Sequence, residues 1–196
     1  MSPGRSYHHG DLRAALIEAS FELLAECGLR RFSVAEVARR LGVSSAAPYR
    51  HFADRRQLLS AVSTAAARDL RTAIEAAADA AGDDPAARLA ASAGAYVRYV
   101  ARTGAGIQVI YAAELYDVAD DARREQTRAL MTTMLDLAGA AGARTYPEVV
   151  LLVEATIAVA HGYTSLFADG FFARNSIPVD DIAARAVEAA GALISH

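Results

Sequence analysis

Apolar residues recur along the chain at three- and four-residue intervals, the signature of helices with one buried face. Leu12, Ala15, Leu16, Ala19, Leu23 and Leu24 make the stripe of a first helix over 11–27, which Gly28 closes. Val34, Val37, Ala38 and Leu41 fall at i, i+3, i+4 and i+7, so a short second helix buries one face and leaves Arg39 and Arg40 outside it. Its start carries the Ser-x-x-Glu spacing of a capping box at Ser33 and Glu36, each able to satisfy a backbone N–H. Gly42 ends it, taking cheaply the left-handed conformation often needed there, and Ser44 or Ser45 then caps a third, shorter helix. At about 100° per residue, Pro48 and Phe52 share the face that joins Val43 in the core, while Ala46 and Arg50 point away with Ala47 and Tyr49 on the flanks. Pro48 removes a backbone hydrogen bond and disfavours helical geometry at Ala47, which predicts a delayed start or a tight first turn.

Asp54 caps a long helix over 55–81, whose start presents backbone N–H groups, Arg55 and Arg56 toward a phosphate. Asp84 as cap and Pro85 as first residue begin the next helix, which runs to about Arg102 with Leu89, Ala93, Tyr96, Val97 and Val100 inward. Thr103 to Gly106 interrupts it, and a short apolar segment over 107–115 follows. Asp117 to Asp121 caps a helix to Ala141 that buries Leu130, Met131, Met134, Leu135 and Leu137. From Val149 to Ala168 the chain is apolar on every side except at Glu154 and His161. A stretch of about twenty such residues can span a bilayer. The ionisable pair and the lack of flanking basic clusters weigh against that, so no membrane partner is expected. In a soluble protein a helix apolar all round is covered all round: one side packs on its own chain and the other needs a partner. The final helix, 179–194, adds a stripe of Ile182, Ala186, Val187, Ala190 and Leu193. The expectation is an obligate homodimer through the helices at 147–168 and 179–194, two from each subunit.

Composition makes the fold class all-α: of 196 residues 54% are hydrophobic, much of that alanine, and strand-like runs of β-branched and aromatic residues are few. The net charge of −3 argues against a protein that coats nucleic acid generally, but the charge is unevenly spread. Residues 1–60 hold nine arginines against six acids, and the remainder eleven against seventeen. A positive end carrying the two short helices suits DNA, because phosphate neutralisation supplies the non-specific part of affinity. The single cysteine, Cys27, excludes an internal disulfide and any multi-cysteine metal site, and reads as a small buried hydrophobe closing the first helix. No leader pattern opens the chain, so a cytoplasmic location is expected. Met1 to Tyr7 reads as a flexible arm that stays free or lays Arg5 along a DNA backbone or minor groove.

The run Phe-Ser-Val-Ala-Glu-Val-Ala-Arg-Arg-Leu-Gly-Val-Ser, then after four residues Tyr-Arg-His-Phe and Arg55, resembles the DNA-binding domain of the TetR family of bacterial transcriptional regulators, as does the helix before it. The resemblance covers about the first sixty residues. It implies an all-helical homodimer: a helix-turn-helix head over 1–54, a connecting helix over 55–81, and a regulatory and dimerisation body over 82–196. A small-molecule effector in the body would release a palindromic double-stranded DNA operator. By position, Ser33 resembles the family's phosphate-contacting helix start, and Ser45, Ala46, Ala47, Tyr49 and His51 lie on its recognition helix; Ser44 as a candidate cap and Arg50 on its outward face complete the DNA-binding candidates. Arg55 stands where a phosphate-binding lysine is usual, keeping the charge while changing a point into a fork. The opening Tyr7-His8-His9-Gly10-Asp11-Leu12-Arg13 and the pair His161-Gly162 resemble one branch of the family, without the tryptophan expected shortly before the latter.

Ligand cavities are mainly apolar with a few placed polar groups. The candidates in the body are Tyr96, Tyr111, Glu114, Tyr116, Glu154, His161, Tyr163 and Phe167. Glu154 and His161, two turns apart on one face, can pair or hold the same polar ligand group. A core histidine bonded to a backbone carbonyl and tyrosines that simply pack are the plain alternatives. An enzyme acting through an Asp/Glu–His pair is the second reading, but the sequence holds no nucleophile elbow, phosphate loop or metal-ligand cluster; no cofactor or metal is expected. A third is a helical adaptor with the head's shape and no DNA binding, against which the positive head argues.

Overall fold

The computed structural model describes residues 11–142, 145–173 and 176–194, and every regular element among them is helical. The arm at Met1–Tyr7, with Arg5 and the His8-His9 pair, lies outside the described residues. Helix α1 (Leu12–Cys27) starts where the Asp11 carboxylate accepts the Ala14 N–H at 3.0 Å and ends where the Gly28 N–H donates to Leu24 O. Helix α2 (Val34–Arg40) buries Val34, Val37 and Ala38. The expected capping box at its start does not form: Ser33 makes no side-chain cap, and Glu36 is held instead by Arg39, at 2.8 Å to Nε. Two cations one turn away outcompete a neutral backbone N–H for that carboxylate. Gly42 takes φ +67° in the turn that follows.

The expected third α-helix is not built as one. Residues 45–47 turn, and Pro48–Arg50 form a single 3₁₀ turn. Ala47 does adopt helical angles, φ −62° and ψ −43°, with its N–H on Ser44 O at 3.0 Å. Pro48 has no N–H to give, so the coil closes with tighter i to i+3 bonds, including Arg50 N–H to Ala47 O and His51 N–H to Pro48 O. Neither Ser44 nor Ser45 caps this turn; its first flanking residue is Ala47.

Helix α3 (Arg55–Ala80), capped by Asp54 on Gln57 N–H at 2.9 Å, leaves the head and runs into the body as one unbroken rod. There it packs on α4 (Pro85–Thr103) and α6 (Asp121–Ala140). Asp84 caps α4 and Asp120 caps α6. Between α4 and α6 the chain makes a one-turn α5 (Ile107–Ile110) and a 3₁₀ turn at Ala113–Leu115. Helices α7 (Tyr146–Ala168) and α8 (Val179–Ile194) close the body against α4 and against each other. Thr145 and Glu148 form the capping box at the start of α7.

Helix α8 buries Ile182, Ala183, Ala186, Ala190 and Ile194, whereas Leu193, expected in that stripe, is 52% exposed. Its inward row continues by four residues from Ala190 to Ile194 instead of by three, which turns Leu193 outward. Helix α7 buries Leu152, Val153, Thr156, Ala160 and Thr164, yet its other side shows Leu151, 64% exposed, and Leu166. By length and composition it is the one described helix that can cross a membrane, and only 28% of its most apolar stretch is fully buried by its own chain.

Candidate DNA interface and ligand cavity

The turn at 44–52 hangs between two anchors. Pro48 and Phe52 are buried in the head, Phe52 beneath the guanidinium of Arg13 at 5.3 Å, and fix the turn to the core. Because the turn advances by about 100–120° per residue, the same geometry sends Ser44, Ser45, Ala46, Tyr49, Arg50 and His51 to the surface, with Ala47 half-buried. Tyr49 is 53% exposed. Short side chains at Ser45 and Ala46 leave the backbone there accessible, and Arg50 exposes a guanidinium fork, a group able to read guanine or grip a phosphate. Ser33 lies half-buried at the α2 start. Arg40 is tied to Glu26 of α1, so α2 is braced on α1 by an ion pair as well as by its apolar stripe. That bond is the first cause holding the Glu26 carboxyl below its ordinary value.

Arg55 is not aimed at open solvent. Its Nε and Nη2 donate to Phe32 O and Leu29 O, each at 3.3 Å, its plane lies over the Phe32 ring, and Nη1 pairs with Glu114 of the body. Next to it Arg56 Nε donates to Glu114 O at 2.9 Å. Glu114, expected near a ligand, therefore joins the body to the head.

A second junction is Gly104, at φ +62° after α4. A Cβ there would lie 2.4 Å from Ala25 N and Leu24 C, so α1 rests on this residue backbone to backbone. The segment 104–115 thus touches the head at both its ends. Its middle forms the wall of a cavity of about 40 Å³ in the body.

Leu70 and Ile74 of α3 make another wall of that cavity; α6 contributes Met131 and Met134, α7 contributes Thr156 and Ala160, and Ile107, Ile110 and Tyr111 come from the 104–115 segment. Tyr96 reaches across from α4: its hydroxyl accepts the Ile107 N–H at 3.0 Å and lies 3.1 Å from Nδ1 of His161. Burial raises the Tyr96 phenol above its ordinary pKa, an effect the Ile107 bond partly offsets, and burial raises Tyr111 likewise.

Of the eight body residues singled out by sequence, the structure brings three to this region: Tyr96 and Tyr111 in the wall and His161 behind Tyr96. The others lie elsewhere. Tyr116 is 66% exposed, Tyr163 stacks on Phe172, and Glu154 is exposed while His161 bonds to Tyr96, so of the alternatives open to Glu154 and His161 the direct pair does not form. Phe167 borders a groove between α1 and α7. Sequence reading missed Leu70, Ile74, Thr156 and Ala160 as cavity residues. Nothing in their local pattern separates a wall from a core.

A helix-turn-helix head with an outward arginine-bearing turn, set on a helical body with an internal cavity, defines a ligand-accommodating DNA-binding regulator. Residues 16–62 match the family of bacterial regulatory proteins of the TetR type, and residues 89–190 match the tetracycline repressor-like C-terminal domain; the chain belongs to the TetR family of transcriptional regulators. A solved structure of a protein of unknown function from Rhodococcus sp. RHA1 is similar at 30% identity and TM-score 0.72, covering 98% of this chain and 100% of that one. A TetR-family bacterial regulatory protein from Rhodococcus RHA1 is similar at 24% identity and TM-score 0.64, covering 94% of this chain and 97% of the other. A TetR-like transcriptional regulator from Rhodococcus sp. RHA1 shares the fold at 16% identity and TM-score 0.64, covering 97% and 99%. No curated protein sequence matches the chain.

Proposed function

We propose that the chain is a cytoplasmic repressor that binds a palindromic double-stranded operator as a homodimer and lets go when a small molecule occupies the body cavity. Residues 1–54 act as the reading head, 55–81 as the connecting rod and 82–196 as the regulatory and dimerisation unit. The observation that carries the reading is the two-sidedness of the 44–52 turn, with Pro48 and Phe52 inside and Ser45, Ala46, Tyr49 and Arg50 outside. The reading is of a binding protein and not of an enzyme.

The dimer follows from α7 and α8. Leu151, Ala158, Gly162 and Leu166 face outward on α7, as do Ala192 and Leu193 on α8. An uncovered apolar surface of this kind on a soluble regulator marks an interface, and a two-fold copy of itself is self-complementary to it. Two heads then meet major grooves about one helical turn, roughly 34 Å, or a multiple of it apart.

Release follows from the shared walls. Leu70 and Ile74 lie on the same rod as Arg55, some 15 to 19 residues along it or roughly 22–28 Å, and the 104–115 segment touches cavity and head at once. A ligand that prefers a shifted wall therefore prefers shifted heads, and affinity for the operator falls without any base contact being altered.

The test is operator binding by Tyr49→Ala and Arg50→Ala proteins on duplexes selected from a random pool by the native protein. Loss of Arg50 is expected to cost about 1–3 kcal/mol on the selected duplex and to relax preference at one position per half-site. Unchanged sequence preference in both variants removes the reading.

A further inference from the structure

The cavity's wall says what kind of molecule it takes. None of its fourteen lining residues is charged. The hydroxyl protons on it are already committed to backbone carbonyls: Ser92 to Leu89 O at 2.6 Å, Thr156 to Leu152 O at 2.8 Å and Tyr111 to Thr127 O at 3.2 Å. The Tyr96 hydroxyl is occupied by Ile107 N–H and His161. A carboxylate entering here meets no donor that is not already in use, and an ammonium meets no counter-charge. Burying either ion unpaired is far costlier than burying a hydrocarbon.

What remains on offer is apolar surface from Leu70, Ile74, Ile107 and Ile110 and the lone pairs of bonded hydroxyls, which can accept one hydrogen bond from a neutral ligand. Size adds a second condition. About 40 Å³ is well below the ~150 Å³ of a dry cavity that admits benzene, so an occupant displaces side chains. Met131 and Met134 are unbranched and supply the give.

We infer that the effector is an uncharged, largely hydrocarbon molecule of about one ring, carrying at most one hydrogen-bond donor, which enters by displacing Met131 and Met134. The inference rests on the effector reading above for its biological meaning, but its chemistry is tested without DNA. The chain holds three methionines, two of them in this wall, so protein labelled with ¹³C at the methionine methyls gives a spectrum of three signals, assigned with Met131→Leu and Met134→Leu.

Titration of the native protein with toluene, benzoate and benzylammonium compares one shape in three charge states. Saturable shifts of both the Met131 and Met134 methyls with toluene, at an affinity at least tenfold above that for either ion, are expected. Shifts with an ion as strong as those with toluene, or both methyls unmoved by toluene, overturn the inference. A parallel measurement of operator affinity at saturating toluene separates the two levels: methyl shifts with unchanged DNA affinity support the ligand class and refute release through this cavity.

Discussion

Gly104→Ala is the substitution that tests the head–body junction hardest. The residue sits at φ +62°, where a side chain costs about 1–2 kcal/mol. The added methyl would also lie 2.4 Å from the backbone of Leu24 and Ala25, so α1 and the end of α4 separate by about 1 Å. Forced separations of packed elements cost about 1–3 kcal/mol. The sum, about 2–5 kcal/mol, is a large share of the 5–15 kcal/mol typical of a folded domain. For a chain of this length it corresponds to a drop of roughly 4–20 °C in Tm. Thermal unfolding at one fixed protein concentration reads the effect, because the proposed dimer would make Tm depend on concentration. Gly139→Ala serves as the control: its Cβ meets nothing within 4 Å inside α6, so stability holds or rises by up to about 1 kcal/mol. Operator affinity of Gly104→Ala at a temperature where it is folded is expected to fall with sequence preference unchanged, since the 44–52 turn is untouched. A Gly104→Ala protein within about 2 °C of the native Tm and with native affinity refutes the claim that α1 is seated on this residue.

Two further perturbations address the dimer face and the tie between α3 and α6. Leu151→Glu places a charge on the exposed apolar side of α7; sedimentation at micromolar concentration is expected to show monomer with the helical content retained, and a stable dimer contradicts the assigned interface. At Asp120, burial pushes the carboxyl pKa up, but hydrogen bonds from Arg123 N–H and from Ser60, at 2.7 Å, outweigh it and the net shift is downward. A depressed folded-state pKa means stability that is present above the ordinary aspartate value and lost as pH falls through the folded one. Denaturant unfolding between pH 5 and about 3 should therefore weaken the native protein more steeply than Asp120→Asn, and parallel curves would refute the assignment.

Local chemistry was legible in the sequence where a single residue decides it. Asp54 and Asp84 each cap the helix read from them, because a short carboxylate at that place has little else within reach. Ser33 follows the same rule by spacing and fails, since Arg39 and Arg40 take Glu36 away from the box. The inward and outward faces of the 44–52 turn were readable from its angular period, and so was the trouble at Pro48, but not that the α-helical bonds would give way to 3₁₀ ones. What the sequence did not carry is long-range pairing. Arg55 reads as a phosphate contact from its place at a helix start, and only the fold brings Glu114, 59 residues on, against it. Tyr96 and His161 meet across 65 residues, while Glu154, two turns from His161, faces solvent. Helix α7 showed its need for cover by being apolar all round, because that property belongs to the helix itself and not to its neighbours.

The proposed operator binding requires that the outward side of the 44–52 turn enter the major groove of both half-sites at once. A cleavage reagent tethered at Ala46→Cys in a Cys27→Ser background reads that placement on a selected operator duplex. Two clusters of strand cuts are expected, centred in major grooves, about one helical turn or a multiple of it apart and symmetric about the operator's dyad. Bound protein that leaves the duplex uncut, or cuts it at a single site or from the minor groove, would contradict the assignment.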